Sequence, residues 1–288
     1  MRFAFIDKRR EEFSVALMCE MLDVSRSGYY AWRDRPASAR ESRRVELTAK
    51  IRSAYQESRG TYGSPRVTVE LKSEGVNVCA NTVAKYMRQA GVRVTPRHRF
   101  VPRTTDPHHP HPLAPNLLDR DFAASAPDQK WACDLTYIWT DEGWLYLSVV
   151  LDLFSRKVVG WSMSDDLKAQ GVAEALAMAV ARRKPDADAG LLHHSDRGVQ
   201  YACELYRSIL EEHDITASMS RSGNCYDNAS AESFFGRFKT ELVHRTRYRT
   251  RAEARASVFE WIECWYNRQR RHSSLGYMSP EAFEARIN

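Results

Sequence analysis

The chain has 288 residues, 43% of them hydrophobic, and no run of 18 apolar residues; a soluble globular protein of more than one domain is expected, and a membrane-spanning helix or an N-terminal signal peptide is not. Six cysteines (Cys19, Cys79, Cys133, Cys203, Cys225, Cys264) with no C-x-x-C pair argue against a zinc module or disulfide framework and for a reducing cytoplasm. The net charge of +6 is unevenly spread: residues 1–100 carry 20 Lys+Arg against 11 Asp+Glu, residues 131–220 carry 8 against 14, and residues 221–288 carry 12 against 8, so basic flanks suited to a polyanion enclose an acidic centre suited to a divalent metal.

Residues 1–42 read as a small helical segment. The spacing predicts a helix over 14–22, a turn at 23–24, and a second helix through residue 32 with Ser25 as N-cap; RPASARES, 35–42, reads as a linker. Residues 43–94 form the next unit. A helix is expected over 43–58, followed by helix, turn and helix in GTYGSPRVTVELKSEGVNVCANTVAKYMRQAGVRV. Pro65 suits a first helical turn, and Gly75 and Gly91 end the two helices. That is the helix-turn-helix pattern, which a plain helical bundle shares. Its recognition helix would span about 80–90, with Asn81, Thr82, Lys85 and Arg88 as DNA-binding candidates. Residues 95–126 are rich in Pro and His and read as an extended linker; the interleaved prolines make a specific metal site at His108, His109 and His111 unexpected.

Residues 127–288 change pattern. WACDLTYIWT, WLYLSVVLDL and KVVGWSMS are three β-rich runs with hairpin-like connections. A helix over 168–183, a strand over 190–194, a helix from about 200 to 213 and the short strand ITASMS follow. Long helices are expected over 229–245 and 251–267. Three consecutive strands and then alternating helix and strand define an α/β domain with a mixed sheet.

Three carboxylates stand in costly places. Asp134 interrupts the first strand among aromatic and apolar residues; Asp196 tips the fourth strand in HSDRGVQY; Glu232 lies on a helix beside Phe234 and Phe235. Strands ending side by side would join the two aspartates, and a helix across their ends would add Glu232. Such oxygen ligands suit Mg²⁺ or Mn²⁺, and two ions roughly 3.5–4 Å apart would serve phosphoryl transfer, with Asp134 as the bridging ligand. Lys239, two helical turns after Glu232, is placed on the same helix face to meet a DNA phosphate. Ser195, flanked by His194 and Asp196, is no serine-hydrolase nucleophile, because adjacent strand residues point to opposite faces and no G-x-S-x-G elbow is present.

Asp134 and Asp196 are separated by 61 residues, and Asp196 and Glu232 by 35. This resembles the DD(35)E signature of the transposase and retroviral-integrase superfamily. The phrases SRSGYYAW, YGSPRV, NLLDRDF, WACDLTYI, LDLFSRKVVGW, HSDRGVQY, GNCYDNASAESFFGRFKTE and YNRQRRHSSLGYMSP, which span the chain from about Ser14 to Ala282, resemble more closely the bacterial transposases of the insertion-sequence-three family. The resemblance implies a ribonuclease-H-like integrase catalytic core with Asp134, Asp196 and Glu232 as catalytic and metal-binding residues. It implies metal-dependent cleavage and strand transfer at insertion-sequence ends, a homo-oligomer on DNA, terminal inverted repeats and target DNA as partners, and a cytoplasmic, nucleoid-associated location. It also implies that the chain corresponds to a second reading frame, normally fused by frameshift to an upstream-frame protein that supplies a further helix-turn-helix. Cys133 stands where the family often has threonine. A DNA-binding regulator without catalysis and a ribonuclease-H-type nuclease are the other readings; the intact carboxylate set speaks against the first, and the helix-turn-helix unit with the basic stretch 237–271 against the second.

Overall fold

The computed structural model describes residues 1–36, 38–94, 112–186, 189–221 and 224–287. The histidines at 108, 109 and 111 lie outside them. Among the described residues, no helix is long and apolar enough to cross a membrane.

Three short helices open the chain: α1 (Arg2–Arg9), α2 (Val15–Met21) and α3 (Arg26–Arg33). Ser25 caps α3 by accepting the Gly28 amide at 3.0 Å. The chain continues through α4 (Ala39–Glu57), α5 (Ser64–Ser73) and α6 (Ala80–Gln89). α4 begins earlier than the linker reading of 35–42 places it, so the expected boundary at residue 42 falls inside the helix. The cause is local: Ser38 accepts the Glu41 amide at 3.2 Å, and Glu41 pairs with Arg44 one turn on. Gly75 and Gly91 take φ of +80° and +70°, the left-handed conformation that stops α5 and α6.

The reading of 95–126 as a linker also needs correction over its described part. Leu118 is buried, and Asn116 and Arg120 both donate to Asp227, at 3.0 Å each. These residues belong to the packed core rather than to an extended tether.

The sheet contains β1 (Lys130–Thr140), β2 (Gly143–Asp152), β3 (Val158–Ser164), β4 (Leu192–Ser195) and β5 (Thr216–Met219), in the order β3-β2-β1-β4-β5. β2 pairs antiparallel with both β1 and β3; β4 and β5 run parallel to β1. Alternation along β1 divides the core. Trp131 and Cys133 pack with α7 (Ala169–Arg183), α8 (Val199–Ala202) and α9 (Glu204–Glu212), while Ala132 and Ile138 pack on the other face. α7 approaches β3 so closely that a Cβ on Gly160 would sit 2.1 Å from the Ala175 carbonyl oxygen. Cys203 separates α8 from α9, where one helix was expected.

The second face is covered by α10 (Ala229–Glu241) and α11 (Arg251–Phe259), while α12 (Pro280–Glu284) is tied through Glu284 to Ser155, Lys157 and Arg183. A 3-10 turn over Val243–Arg245 ends the first expected long helix, and α11 runs into a π-helix over Glu260–Tyr266. The wider π turn presents Trp261, Ile262, Trp265 and Tyr266 to the core together. Asn267 then clamps β3, its amide accepting from Val158 N and donating to Val158 O, both at 2.9 Å. Leu47, Ile51, Tyr62, Val67 and Leu71 of the α4–α6 region join the same core, so this helical unit packs directly on the sheet domain.

Candidate active site

The site begins with strand register. β4 pairs with β1 at Lys130–Leu192, Trp131–His193 and Ala132–His194. Asp134 lies on β1 two residues past the last paired position, and Asp196 follows the end of β4 two residues past the same pair. Asp134 Oδ1 accepts the Leu135 amide at 2.8 Å, and Asp196 Oδ1 accepts the Gly198 amide at 2.9 Å. A Cβ on Gly198 would lie 3.0 Å from that Asp196 oxygen, so the turn after β4 is closed tightly around the carboxylate.

His194 fastens the end of β4 to the neighbouring strand. Its Nδ1 lies 2.8 Å from Ser218 Oγ and its Nε2 3.0 Å from Ser220 Oγ. Burial pushes its pKa down to about 4, so a neutral imidazole bridges the two hydroxyls at neutral pH. On the opposite side of the strand, His193 Nε2 lies 3.0 Å from Tyr206 OH. Cys133, next to Asp134, is pushed up to about 12 by burial and stays a thiol.

α10 is anchored through its first turn. Asp227 is fully buried and accepts from Arg221 Nε at 2.9 Å and Nη2 at 2.8 Å, as well as from Arg120 and Asn116. The Arg221 guanidinium above all holds the Asp227 carboxyl well below the usual carboxylate range. Asn228 Nδ2 donates to the Cys133 carbonyl at 3.1 Å, tying the helix start to the residue before Asp134. Arg156 Nη1 donates to Ser230 Oγ at 2.8 Å. Glu232 is exposed on the turn so anchored.

The electrostatics link the three carboxylates. Burial raises Asp134 well above its ordinary pKa; the charges of Asp196 and Glu232 act in the same direction, while the Leu135 amide and Lys239 oppose them. Lys239 is half-buried, with Nζ 4.8 Å from the centroid of the Tyr137 ring. Burial lowers its pKa against the pull of Asp134. It faces β1 rather than open solvent. Among the described residues, no three His, Cys, Asp or Glu side chains gather into one metal-binding group. Asp196, and Glu232 from α10, both act on the charge of Asp134.

Asn81, Lys85 and Arg88 are exposed on α6, in a unit separate from the carboxylates. Thr82 turns inward, with Oγ1 3.2 Å from Cys79 Sγ, and lines a cleft with Arg40, Arg43 and Arg44 of α4. Those arginines were not among the sequence candidates, because their stretch reads as linker or helix surface. Asp227 and Asn228 were also missed; the only sequence signal is their place in GNCYDNASAE, a few residues before Glu232.

A mixed five-stranded sheet with one aspartate inside its central strand and another just past the end of the adjoining parallel strand, preceded by a helix-turn-helix unit, defines a protein of the integrase-core class. The integrase core domain family matches residues 124–225 and, in a second form, 213–280, and the HTH-like domain family matches 42–100. The chain is 46% identical over 286 residues to "Transposase InsF for insertion sequence IS3A" of Escherichia coli (strain K12), covering 99% of this chain and 98% of that one. It is 42% identical over 271 residues to "Insertion element IS600 uncharacterized 31 kDa protein" of Shigella sonnei, covering 94% and 98%. The solved HTLV-2 integrase catalytic core domain in complex with magnesium aligns with 56% of this chain and 99% of its own length, at 14% identity and a TM-score of 0.44. The chain belongs to the IS3 family of insertion-sequence transposases. It is accordingly an enzyme of DNA transposition, with a polynucleotidyl-transferase core.

Proposed function

We propose that Asp134, Asp196 and Glu232 are the catalytic residues with which this transposase cleaves insertion-sequence ends and joins them to target DNA. The observation that carries the reading is the raised proton affinity of Asp134, produced by burial and by the charges of Asp196 and Glu232. A carboxylate so placed is stabilised by a cation. Oxygen donors alone suit Mg²⁺ or Mn²⁺; the three carboxylates do not converge into a ready-made metal group in this structure, so waters and phosphate oxygens would supply much of the coordination. A pair of such ions supplies Lewis-acid activation of the attacking and leaving oxygens.

The chain's own residues do the rest. Asp134 and Asp196, fixed by strand register, define where the scissile phosphate sits. Glu232 closes the site from the anchored first turn of α10. Lys239, held against Tyr137, offers its ammonium to the phosphate backbone and partly offsets the acidic cluster. Asn81, Lys85 and Arg88 share the outer face of α6 and read or hold DNA there; Thr82 contributes through the cleft at the helix start. The proposed plan keeps an N-terminal helical segment, a DNA-binding unit that starts with α4 at Ala39 and ends near 94, a connection whose residues 116–120 dock on the core, and a catalytic core over 127–288. The reading extends to action as a homo-oligomer on terminal inverted repeats and target DNA, and to fusion with an upstream-frame protein.

Joining of labelled element ends in Mg²⁺ and in Mn²⁺, with a gel shift in parallel, tests the assignment. Glu232→Gln keeps size and hydrogen bonding but removes the charge; it should reduce joining by at least about a thousandfold, on the scale of lost transition-state electrostatics, with DNA binding intact. Lys239→Ala should weaken binding and retain joining at high DNA concentration. Full joining by Glu232→Gln would remove that residue from the chemistry.

A further inference from the structure

The β1–β2 hairpin carries aromatic side chains that the fold leaves uncovered. Trp139 is 56% and Trp144 41% exposed. They face each other across the hairpin in register, with rings edge to face at 4.8 Å, and Trp144 also meets Tyr137 edge to face at 4.9 Å. Lys239 caps the Tyr137 ring from the side of the carboxylates.

A second feature adjoins them. Residues 245–251, RTRYRTR, place an arginine at every other position. Tyr248 bridges Thr140 in parallel, its carbonyl accepting the Asp141 amide at 3.0 Å, and both Tyr248 and Thr140 are buried. By alternation, Arg247 and Arg249 then share the outer face with Trp139. Arg247 is 84% exposed while reaching Asp141 at 3.3 Å, and Arg249 is exposed. Arg251 Nε donates to the Trp144 carbonyl at 3.1 Å, fixing this basic strap to the hairpin.

β4 pairs with β1 only as far as Ala132, and the strap meets β1 at Thr140. Between them the edge of β1 runs from Asp134 to Trp139, about 17 Å at the usual rise per residue. Tyr137 with Lys239 over it, Trp139 with Trp144, and the strap arginines therefore follow one another along β1, with Asp134 further back on the same strand and, by alternation, on its other face. Alternating cations and ring faces are the chemistry of a surface that tracks an unpaired nucleic-acid strand, cations on its phosphates and rings on its bases. A fully paired duplex keeps its base faces stacked on one another and has little use for the rings. A second copy of this chain would bring the same arginines against themselves in a twofold contact.

We infer that Tyr137, Trp139 and Trp144, with Arg247 and Arg249, form a platform for unpaired nucleotides of the DNA strand leaving the carboxylate site. This deepens the proposed function and rests on the carboxylates being where DNA is processed.

The test uses the full chain without divalent metal. Anisotropy measures affinity for a labelled duplex, the same duplex with a short unpaired 3′ flap, and the flap strand alone. The wild type should prefer the flapped duplex by about tenfold, the scale of one stacked base. Trp139→Ala with Trp144→Ala should bring the flapped duplex down to the plain-duplex value and leave the latter within about twofold, whereas Trp139→Phe with Trp144→Phe should keep most of the preference. Arg247→Ala with Arg249→Ala should weaken all three probes and flatten the salt slope by about two. No flap preference in the wild type, or an equal loss on all probes in the tryptophan-to-alanine variant, overturns the platform. So does a tryptophan-dependent dimer in sedimentation with flap preference unchanged, which would make the patch a contact between copies. A tryptophan-dependent flap preference in a chain whose joining survives Glu232→Gln would instead leave the platform standing and overturn the catalytic assignment.

Discussion

The two helical units that precede the sheet are attached in different ways. α1–α3 close around a small core of Ile6, Met18, Cys19 and Tyr29, and leave Phe5, Phe13, Leu17 and Met21 exposed. The α4–α6 unit shares its core with the catalytic sheet. The Tyr62 ring lies 5.8 Å from that of Trp265, and Tyr62 OH accepts the Arg271 amide at 2.6 Å. Arg271 grips Glu70 through two nitrogens, at 2.6 and 2.7 Å, and Arg59 pairs with Glu260. The difference teaches that the direction in which α6 points relative to the carboxylates is set by packing. The first unit, with so small a core, has only local stability of its own.

The sharpest way to break that contrast is to remove the ring at the seam. Trp265 is buried against Tyr62, with Arg59 over its face at 5.0 Å. Trp265→Ala should cost about 3–5 kcal/mol by cavity formation and loss of contact. Hydrogen exchange should speed up across α4–α6 while α1–α3 exchange as before. Trp265→Phe should recover most of the loss, since the indole Nε1 is buried without a hydrogen-bond partner. Unchanged protection of α4–α6 in Trp265→Ala would mean that the seam does not hold the unit.

Acid should act on the same side of the contrast. His272, beside the seam, is 1% exposed and lies 3.3 Å from Arg270. Burial, and then the charges of Arg270, Arg237, Arg66 and Arg156, hold its pKa down to about 2. The unfolded chain takes up this proton near pH 6.5 while the folded chain refuses it, so the contribution is fully present above 6.5 and declines as pH falls towards 2. At pH 5 the loss from this one site should be about 2 kcal/mol. Asp134 works in the opposite sense in metal-free protein, since its raised pKa favours the folded state as pH falls. His272→Gln should flatten the stability profile between pH 6.5 and 5 in urea titrations. An unchanged slope would show that His272 is not the group protonated.

Much of this arrangement is legible in the sequence, and the remainder fails for identifiable reasons. The strand patterns of β1, β2 and β3 are local, and the spacing of Asp134, Asp196 and Glu232 is what nominates them for the proposed site. The approach of the two strands that carry Asp134 and lead into Asp196 rests on parallel pairing across more than fifty residues, which no local pattern encodes. The π-helix at Glu260–Tyr266 escapes notice because its apolar residues also satisfy a helical period. Asp227 looks like any loop aspartate until Arg221 and Arg120 converge on it from separate segments. The start of α4 is a different kind of miss: Ser38 and Glu41 form a readable capping box within a stretch whose composition reads as linker. The docking of α4–α6 has no sequence signature, since Tyr62 and Trp265 are ordinary core residues taken singly.

The smallest expected effect lies in the weakly held unit and sharpens the contrast from its other side. Tyr29 is fully buried in the α1–α3 core, and its hydroxyl donates to Asp7 Oδ1 at 2.9 Å, linking α3 to α1. Tyr29→Phe keeps the ring and its packing against Phe3 and removes one hydrogen bond. Such a bond contributes about 0.5–1.5 kcal/mol net, and Asp7 at the rim can turn to water. In a domain-sized core that loss would be diluted; in a unit whose core is four buried residues it is a large part of the whole. Exchange of the α1–α3 amides in the full chain should therefore accelerate by about three- to tenfold, the factor corresponding to that energy. The amides of α4–α6 and of the sheet should keep their wild-type rates, because the substitution touches no part of their shared core. Acceleration shared by all three regions would mean that α1–α3 is coupled to the rest, and that the separation of the two units is not the property this contrast makes it.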